Sequence, residues 1–156
     1  MEKKFDIVGI VAGSAGAAIA IAAMQLLSTS TAFPLVLVPF ATSIVLVMGS
    51  PAAAPAQPRP LIGGHLAASL VGLLVVKLLG PSVASAALSV GLAVALMHAT
   101  RTFHPPAAID PLVIVTNNLS WGFLLAPVAV GAVLLAAFAF VWHNLVRRGS
   151  WPTSWW

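Results

Sequence analysis

The chain has 156 residues, a length that fits one domain. Hydrophobic residues make up 60% of it and charged residues 6%, where a typical soluble protein has roughly 25% charged. Its mean hydropathy is +1.06, and seven Lys/Arg with three Asp/Glu cannot coat a water-facing surface or keep a chain disordered, so an integral membrane protein is what remains. Cysteine is absent, which excludes disulfide frameworks, iron–sulfur clusters and thiolate zinc sites. The net charge of +4 comes without any Lys/Arg cluster of the size that binds nucleic acid. The lipid bilayer is the expected partner, and no nucleic-acid partner is expected.

A membrane-spanning helix needs about 20 apolar residues. The first such run covers residues 7–27 and follows Lys3 and Lys4. It exceeds the about 7–15 apolar residues of a signal peptide, so it reads as a retained span. A polar patch, Ser28-Thr29-Ser30-Thr31, separates it from a shorter run at 34–49 that carries Pro39. Prolines at 51, 55, 58 and 60 make the next stretch a loop. A third span covers 61–79 and ends at Gly80-Pro81; a fourth covers 82–99. Then come Arg101-Thr102-Phe103-His104-Pro105-Pro106 and an apolar stretch to Asn118 that includes Asp110. As a helix, 105–118 would be about 21 Å long, so it reads as a short buried helix, a re-entrant half-helix or a loop. The last span covers 119–141, followed by Trp142, His143, Arg147 and Arg148. Trp151, Trp155 and Trp156 read as an interfacial anchor or a frayed end.

Charge placement favours six crossings. If 105–118 crosses, Lys3, Lys4, Arg59, Arg101, Arg147 and Arg148 fall on one side, which the positive-inside rule makes cytoplasmic. Lys77 alone lies toward the other face, where a lysine at a helix end can snorkel. This places the protein in the inner (plasma) membrane with both termini cytoplasmic.

Six spans divide into two halves of three, about 7–80 and 81–141, within a single transmembrane domain, and 142–156 read as a cytoplasmic or interfacial tail. Ala22-Ala23-Met24-Gln25 resembles Ala95-Leu96-Met97-His98, and Pro39-Phe40-Ala41-Thr42 resembles Pro105-Pro106-Ala107-Ala108. Ile62-Gly63, Leu66-Ala67 and Val71-Gly72 match Trp121-Gly122, Leu125-Ala126 and Val130-Gly131 at the same spacing. The middle element of each half is short and marked by proline. The expected fold is therefore an all-α polytopic helical bundle, six helices as two inverted three-helix repeats, with a substrate site where the halves meet.

Ionisable groups at membrane depth are costly and usually functional. The candidates are His65, Lys77, His98, Arg101, His104 and Asp110. His98 and Arg101 are three apart and would share a helix face. Pro105 and Pro106 suit a helix first turn, whose free N–H groups attract anions, and the Pro39 helix would present a similar end from the other half. Arg101 and the histidines beside these ends would hold a small anion, and histidines titrate near neutrality and so could couple proton movement. Asp110, the sole deep acid, would pair with Arg101 or a histidine, or carry a transported proton. Each has a plainer role: His65 and His98 as packing residues, Arg101 as a topology anchor, Lys77 as a snorkelling lysine. Three imidazoles at His65, His98 and His104 could hold zinc, but no HExxH-like pairing accompanies them. Neither a metal nor another cofactor is expected, and no enzymatic nucleophile–base pair stands out. Gly9, Gly13, Gly16, Gly64, Ala68 and Gly72 read as small residues on packing faces.

The run Arg101-Thr102-Phe103-His104-Pro105-Pro106-Ala107, with Gln57-Pro58-Arg59 and Ile62-Gly63-Gly64-His65, resembles the HPP family of membrane proteins over about residues 12–141. Gln57, Arg59, Gly63, Gly64, His65, Arg101, His104, Pro105 and Pro106 match its pattern. Some members are implicated in nitrite transport, so the resemblance implies a transporter of nitrite or a similar small anion. The family commonly continues Gly-Ala-Asn-Pro where this chain reads Ala108-Ile109-Asp110-Pro111. That puts a carboxylate beside the motif, which would repel an anion unless protonated or paired. The expectation is a homodimeric carrier whose site holds Gly64, His65, Arg101, His104, Pro105, Pro106 and Asp110. The competing expectation is a non-transporting membrane scaffold or partner subunit.

Overall fold

In a computed structural model, which describes residues 6–31 and 38–155, with Thr31, Val38 and Pro39 by backbone only, the described residues form helices joined by turns and short loops. Its helices are α1 (Ile7–Thr31), α2 (Val38–Gly49), α3 (Pro58–Leu79), α4 (Val83–Ala99), α5 (Asp110–Thr116) and α6 (Val130–Val146). Short 3₁₀ turns at Ala54–Ala56 and Pro105–Ile109 lead into α3 and α5. Lys3, Lys4, the start of the second span at Pro34, and Trp156 lie outside the described residues.

The long helices are apolar on nearly every face, as lipid-exposed helices are. α1, α3 and the segment Leu124–Val146 are long and apolar enough to cross a membrane. α2, α4 and Pro105–Thr116 are shorter. What turns each helix inward is a narrow stripe. In α3, Leu61, Gly64, His65, Ala68, Ser69, Gly72, Leu73 and Val76 are buried, the i, i+3, i+4, i+7 spacing of one helical face. In α2 the stripe is Phe40, Ser43, Ile44, Val47 and Met48.

Three boundaries differ from expectation. α1 continues through the polar patch 28–31, because hydroxyls there can bond back to the preceding turn, as Thr29 Oγ1 does to Leu26 O at 3.0 Å. The last span starts near Leu124 rather than Leu119 and is broken at Ala126, whose backbone is extended (φ −136°, ψ 120°). Pro127 lacks the N–H and clashes with the preceding turn, which accounts for the break. α6 then runs on to Val146, so Trp142 and His143 are helical. The tail is neither a frayed end nor an exposed anchor at Trp151, which is buried. Trp151 Nε1 donates to Ala56 O at 3.2 Å, and Gln57 Oε1 accepts from Thr153 N at 2.8 Å.

Packing follows the two halves. α1 packs on α2 and α6, α2 on α6, α3 on α4 and α5, α4 on α5, and α3 on α6. Exchanging the halves turns α1–α2 into α4–α5, α1–α6 into α4–α3 and α2–α6 into α5–α3, and leaves α3–α6 unchanged. Pairing α1 with α4, α2 with α5 and α3 with α6 therefore maps this set of contacts onto itself. The aligned glycines behave alike: a Cβ on Gly72 would lie 2.7 Å from Pro111 Cα, and one on Gly131 would lie 2.9 Å from the Phe40 ring. Each glycine admits the short helix of the half it does not belong to.

Candidate functional site

The site lies where α2, α3 and the segment 102–110 meet. α4 ends at Ala99, and Arg101 adopts the left-handed conformation (φ 56°). Thr102 N bonds Met97 O at 2.8 Å and Arg101 N bonds His98 O at 3.1 Å, the paired bonds of a Schellman cap. Arg59 adds a bond from its guanidinium to Thr100 O at 2.9 Å. This cap turns the chain so that residues 102–104 cross directly over α3. Only a glycine fits beneath the crossing: a Cβ on Gly64 would lie 2.7 Å from His104 Cβ and 2.8 Å from Thr102 O. Pro105 and Pro106 then close the 3₁₀ turn that delivers Asp110 to the start of α5.

The crossing brings together a buried polar chain. His104 Nδ1 lies 2.7 Å from Pro55 O, and its Nε2 lies 2.9 Å from Ser43 Oγ. Ser43 Oγ is also 2.8 Å from His65 Nε2. His65 Nδ1 is 2.8 Å from Asp110 Oδ2, which accepts a further bond from Ser69 Oγ at 3.0 Å. Ser43, His65, Ser69 and His104 are 0% exposed and Asp110 is 1% exposed. The Phe40 ring stacks on His65 with centroids 4.6 Å apart. A carbonyl only accepts, so His104 Nδ1 carries a hydrogen. Asp110, His65 and Ser43 have the bonding order of a serine, imidazole and carboxylate triad, with the second imidazole of His104 also on the hydroxyl at 2.9 Å.

Of the residues singled out by sequence, the structure gathers Gly64, His65, His104 and Asp110. Asp110 pairs with His65, not with Arg101. Arg101 is exposed and forms the helix cap instead of lining the cluster. His98 and Arg101 do not share a helix face, because the helix stops between them; His98 is exposed and stacks on Phe103 with centroids 4.2 Å apart. The turn opened by Pro105 and Pro106 offers no free anion-binding end: Ala107 N bonds His104 O at 3.0 Å, and the start of α5 carries its own acid, Asp110. Lys77 is exposed near a helix end, with Nζ 6.0 Å from the Trp121 ring. Among the described residues, no group of three or more His, Cys, Asp or Glu is placed to hold a metal ion.

Sequence reasoning passed over Ser43 and Ser69. Both carried a signal: Ser69 lies one turn after His65 on its face, and Ser43 lies on the apolar stripe of α2. Gln57, marked only by resemblance, proves to be a clasp. Its Nε2 donates to Pro51 O at 2.7 Å and Ala53 O at 3.1 Å, while its Oε1 holds the tail. It thus fixes the loop that presents Pro55 O to His104.

The fold and site define a polytopic helical membrane protein with an ionisable hydrogen-bonded cluster where α2, α3 and the segment 102–110 meet. The chain belongs to the HPP transmembrane family, whose model for the HPP transmembrane region matches residues 2–152. It is similar to two transmembrane proteins of Dictyostelium discoideum, each 34% identical over 125 residues, or 75% of this chain. The match covers 40% of one relative and 44% of the other, so the chain spans about two fifths of their length. No solved structure matches.

Proposed function

We propose that the protein is a proton-coupled transporter of a small inorganic anion, nitrite or a nitrate-like ion, working at the interface of its two halves. The observation that carries this reading is the Asp110–His65 pair, buried where α3 of the first half meets α5 of the second. An acid at membrane depth is expensive unless paired or protonated, and such groups mark ion and proton pathways. Asp110 explains why protons belong in the cycle: a carboxylate at the site repels an anion, and protonation removes that repulsion. One proton per monovalent anion makes the step electroneutral.

Arg101 and Arg59 support the anion without touching the cluster. Arg59 bonds Thr100 O, the residue beside Arg101, so two cationic residues lie at the same turn of the chain. There they raise the local anion concentration and steer entry. The resemblance to nitrite-transporting family members supports the same substrate class. In this reading the protein sits in the plasma (inner) membrane with both termini cytoplasmic, acts as a homodimer and catalyses no covalent reaction.

The test is uptake of nitrite and nitrate into proteoliposomes, with and without an inward proton gradient, comparing wild type with Asp110→Asn and His65→Ala. Wild-type uptake driven by the gradient and lost in both variants is the expected result. Absence of uptake for both ions, or uptake indifferent to the gradient and to Asp110, overturns the reading and favours a scaffold role.

A further inference from the structure

Two cavities lie between the helices, and their linings correspond. The larger, of about 600 Å³, is bounded by α1, α2 and the end of α6. The smaller, of about 440 Å³, is bounded by α4 and α5. On α1, Ile10, Gly13, Ser14 and Ala17 line the first. The residues 73 positions further on, Val83, Ala86, Ala87 and Val90, line the second from α4. The same step carries Ala22-Ala23-Met24-Gln25 onto Ala95-Leu96-Met97-His98. On α2, Val45, Met48 and Gly49 line the first cavity. The residues 67 positions further on, Leu112, Val115 and Thr116, line the second from α5. Such agreement makes the cavity a feature of both halves rather than a chance gap in the packing.

What differs is the mouth. α3 ends seven residues after Gly72, whereas α6 ends fifteen after Gly131. Only the first cavity is walled by that longer helix, through His143, Val146 and, at its end, Arg147. Asp6 lines the same cavity from the start of α1. Asp6 directly precedes the candidate span Ile7–Ser30, and Arg147 directly follows Leu124–Val146, so a carboxylate and a guanidinium stand at one membrane–water boundary. They do not pair with each other: the ion pair among the described residues is His65–Asp110. His143 lies against Val47 O at 3.0 Å, which leaves Asp6 and Arg147 as the charges of the mouth. Deeper in, the walls are apolar: Ala12, Ala17, Val45 and Met48. Ala17 is eleven residues beyond Asp6, about 16 Å further along the helix. The second cavity has no charged residue in its lining.

A small inorganic ion would meet both signs of charge at this mouth and leave the apolar depth unfilled. A molecule with an anion and a cation at one end and hydrocarbon behind them meets all three features. We infer that the cavity between α1, α2 and α6 binds one phosphatidylethanolamine molecule of the adjoining leaflet. The phosphodiester accepts from the Arg147 guanidinium, a charge-assisted bond. The ammonium donates to the Asp6 carboxylate, and an acyl chain runs down between α1 and α2. A carboxylate offers about four lone-pair sites, so Asp6 can accept from the ammonium while it accepts from Gly9 N at 2.9 Å. Phosphatidylcholine, whose quaternary nitrogen has no N–H to donate, satisfies only the Arg147 side, and so does phosphatidylglycerol, which has no cation. The corresponding cavity between α4 and α5 accommodates hydrocarbon alone. Lipid binding here is independent of the transport reading above.

Delipidated protein in detergent is mixed with equal amounts of palmitoyl-oleoyl phosphatidylethanolamine, phosphatidylcholine and phosphatidylglycerol, and the bound lipid is read by native mass spectrometry. Wild type is expected to retain one phosphatidylethanolamine in preference to the other two. Asp6→Asn keeps an oxygen for Gly9 N and should lose that preference, while Arg147→Gln should weaken all three lipids. Each effect should be roughly 2–5-fold, the range of a solvent-exposed charge pair. Arg148→Gln, outside the lining, should change nothing. Ser14→Phe fills the cavity and should abolish the bound lipid, whereas Ala87→Phe, 73 positions on in the second cavity, should leave it. Should Ser14→Phe not purify, the charge variants decide. Equal retention of the three lipids, a preference for phosphatidylglycerol, or an unchanged preference in Asp6→Asn overturns the site. Loss of an oligomer in Ser14→Phe, with no lipid preference in wild type, would overturn it in favour of a second copy of this chain.

Discussion

Replacing Asp110 in two ways separates its charge from its hydrogen bonds. Asp110 Oδ2 lies 2.8 Å from His65 Nδ1 and 3.0 Å from Ser69 Oγ, and both partners are fully buried. Asp110→Ala strips a bond from each and leaves two enclosed polar groups, each costing about 1–3 kcal/mol. Allowing for partial relaxation, the variant is expected to lose about 2–4 kcal/mol. Asp110→Asn differs in kind. Its amide nitrogen can stand where Oδ2 stands and donate one hydrogen to His65 Nδ1, as the protonated acid does, and the other to Ser69 Oγ, which turns from donor to acceptor. Both buried contacts then persist with no charge on the side chain. Asn is therefore expected to cost less than about 1 kcal/mol, the range of a near-isosteric replacement that keeps its partners. Thermal unfolding of the purified protein in detergent at neutral pH reads the contrast. At about 2–4 °C per kcal/mol, the alanine variant should melt roughly 5–15 °C below wild type and the asparagine variant within a few degrees of it. If Asn melts as low as Ala, the wild-type acid is not acting as a hydrogen donor to His65.

Three further outcomes follow from named contacts. Gly64→Ala drives a methyl into the crossing segment at His104 and Thr102 and should cost about 1–3 kcal/mol; unfolding at the wild-type temperature would mean the crossing yields freely. Arg101→Gly suits the left-handed backbone and removes only charge. It should slow nitrite uptake several-fold at low ionic strength and not at about 1 M salt, where the screening length falls to about 3 Å; a loss that persists in high salt would place the guanidinium in the binding site. Trp151→Ala should release the tail at a cost of about 3–5 kcal/mol, visible as faster tryptic cleavage after Arg147 and Arg148; an unchanged digestion rate would show the tail to be held by Gln57 alone.

The coarse architecture was legible because lipid makes it so. Apolar runs, the loop prolines at 51 and 55 and the Gly80-Pro81 break placed the helices within a few residues, whereas Pro58 and Pro60, read as loop, fall in the first turn of α3, where proline is tolerated. What escaped was set by tertiary geometry. Spacing suggested that Arg101 continues the helix of His98, whereas a left-handed cap at that residue ends it, and no pattern of residue types announces such a cap when the residue is not glycine. A serine in an apolar helix looks like ordinary packing until the chain that crosses it is known, so Ser43 and Ser69 stayed hidden. Asp110 stood out because a lone buried acid must have a partner. Of the partners weighed, only the structure could select His65.

The docked tail has a practical meaning for anyone who extends this chain. Trp151 bonds Ala56 O, and Pro55, the residue next to Ala56, holds His104. An affinity tag joined at the C-terminal end therefore pulls on the segment that holds the buried histidine. Helix α1, by contrast, is preceded by Asp6, whose carboxylate accepts from Gly9 N at 2.9 Å in an exposed position. A handle at that end is the one to choose when the behaviour of His104 is what is being measured.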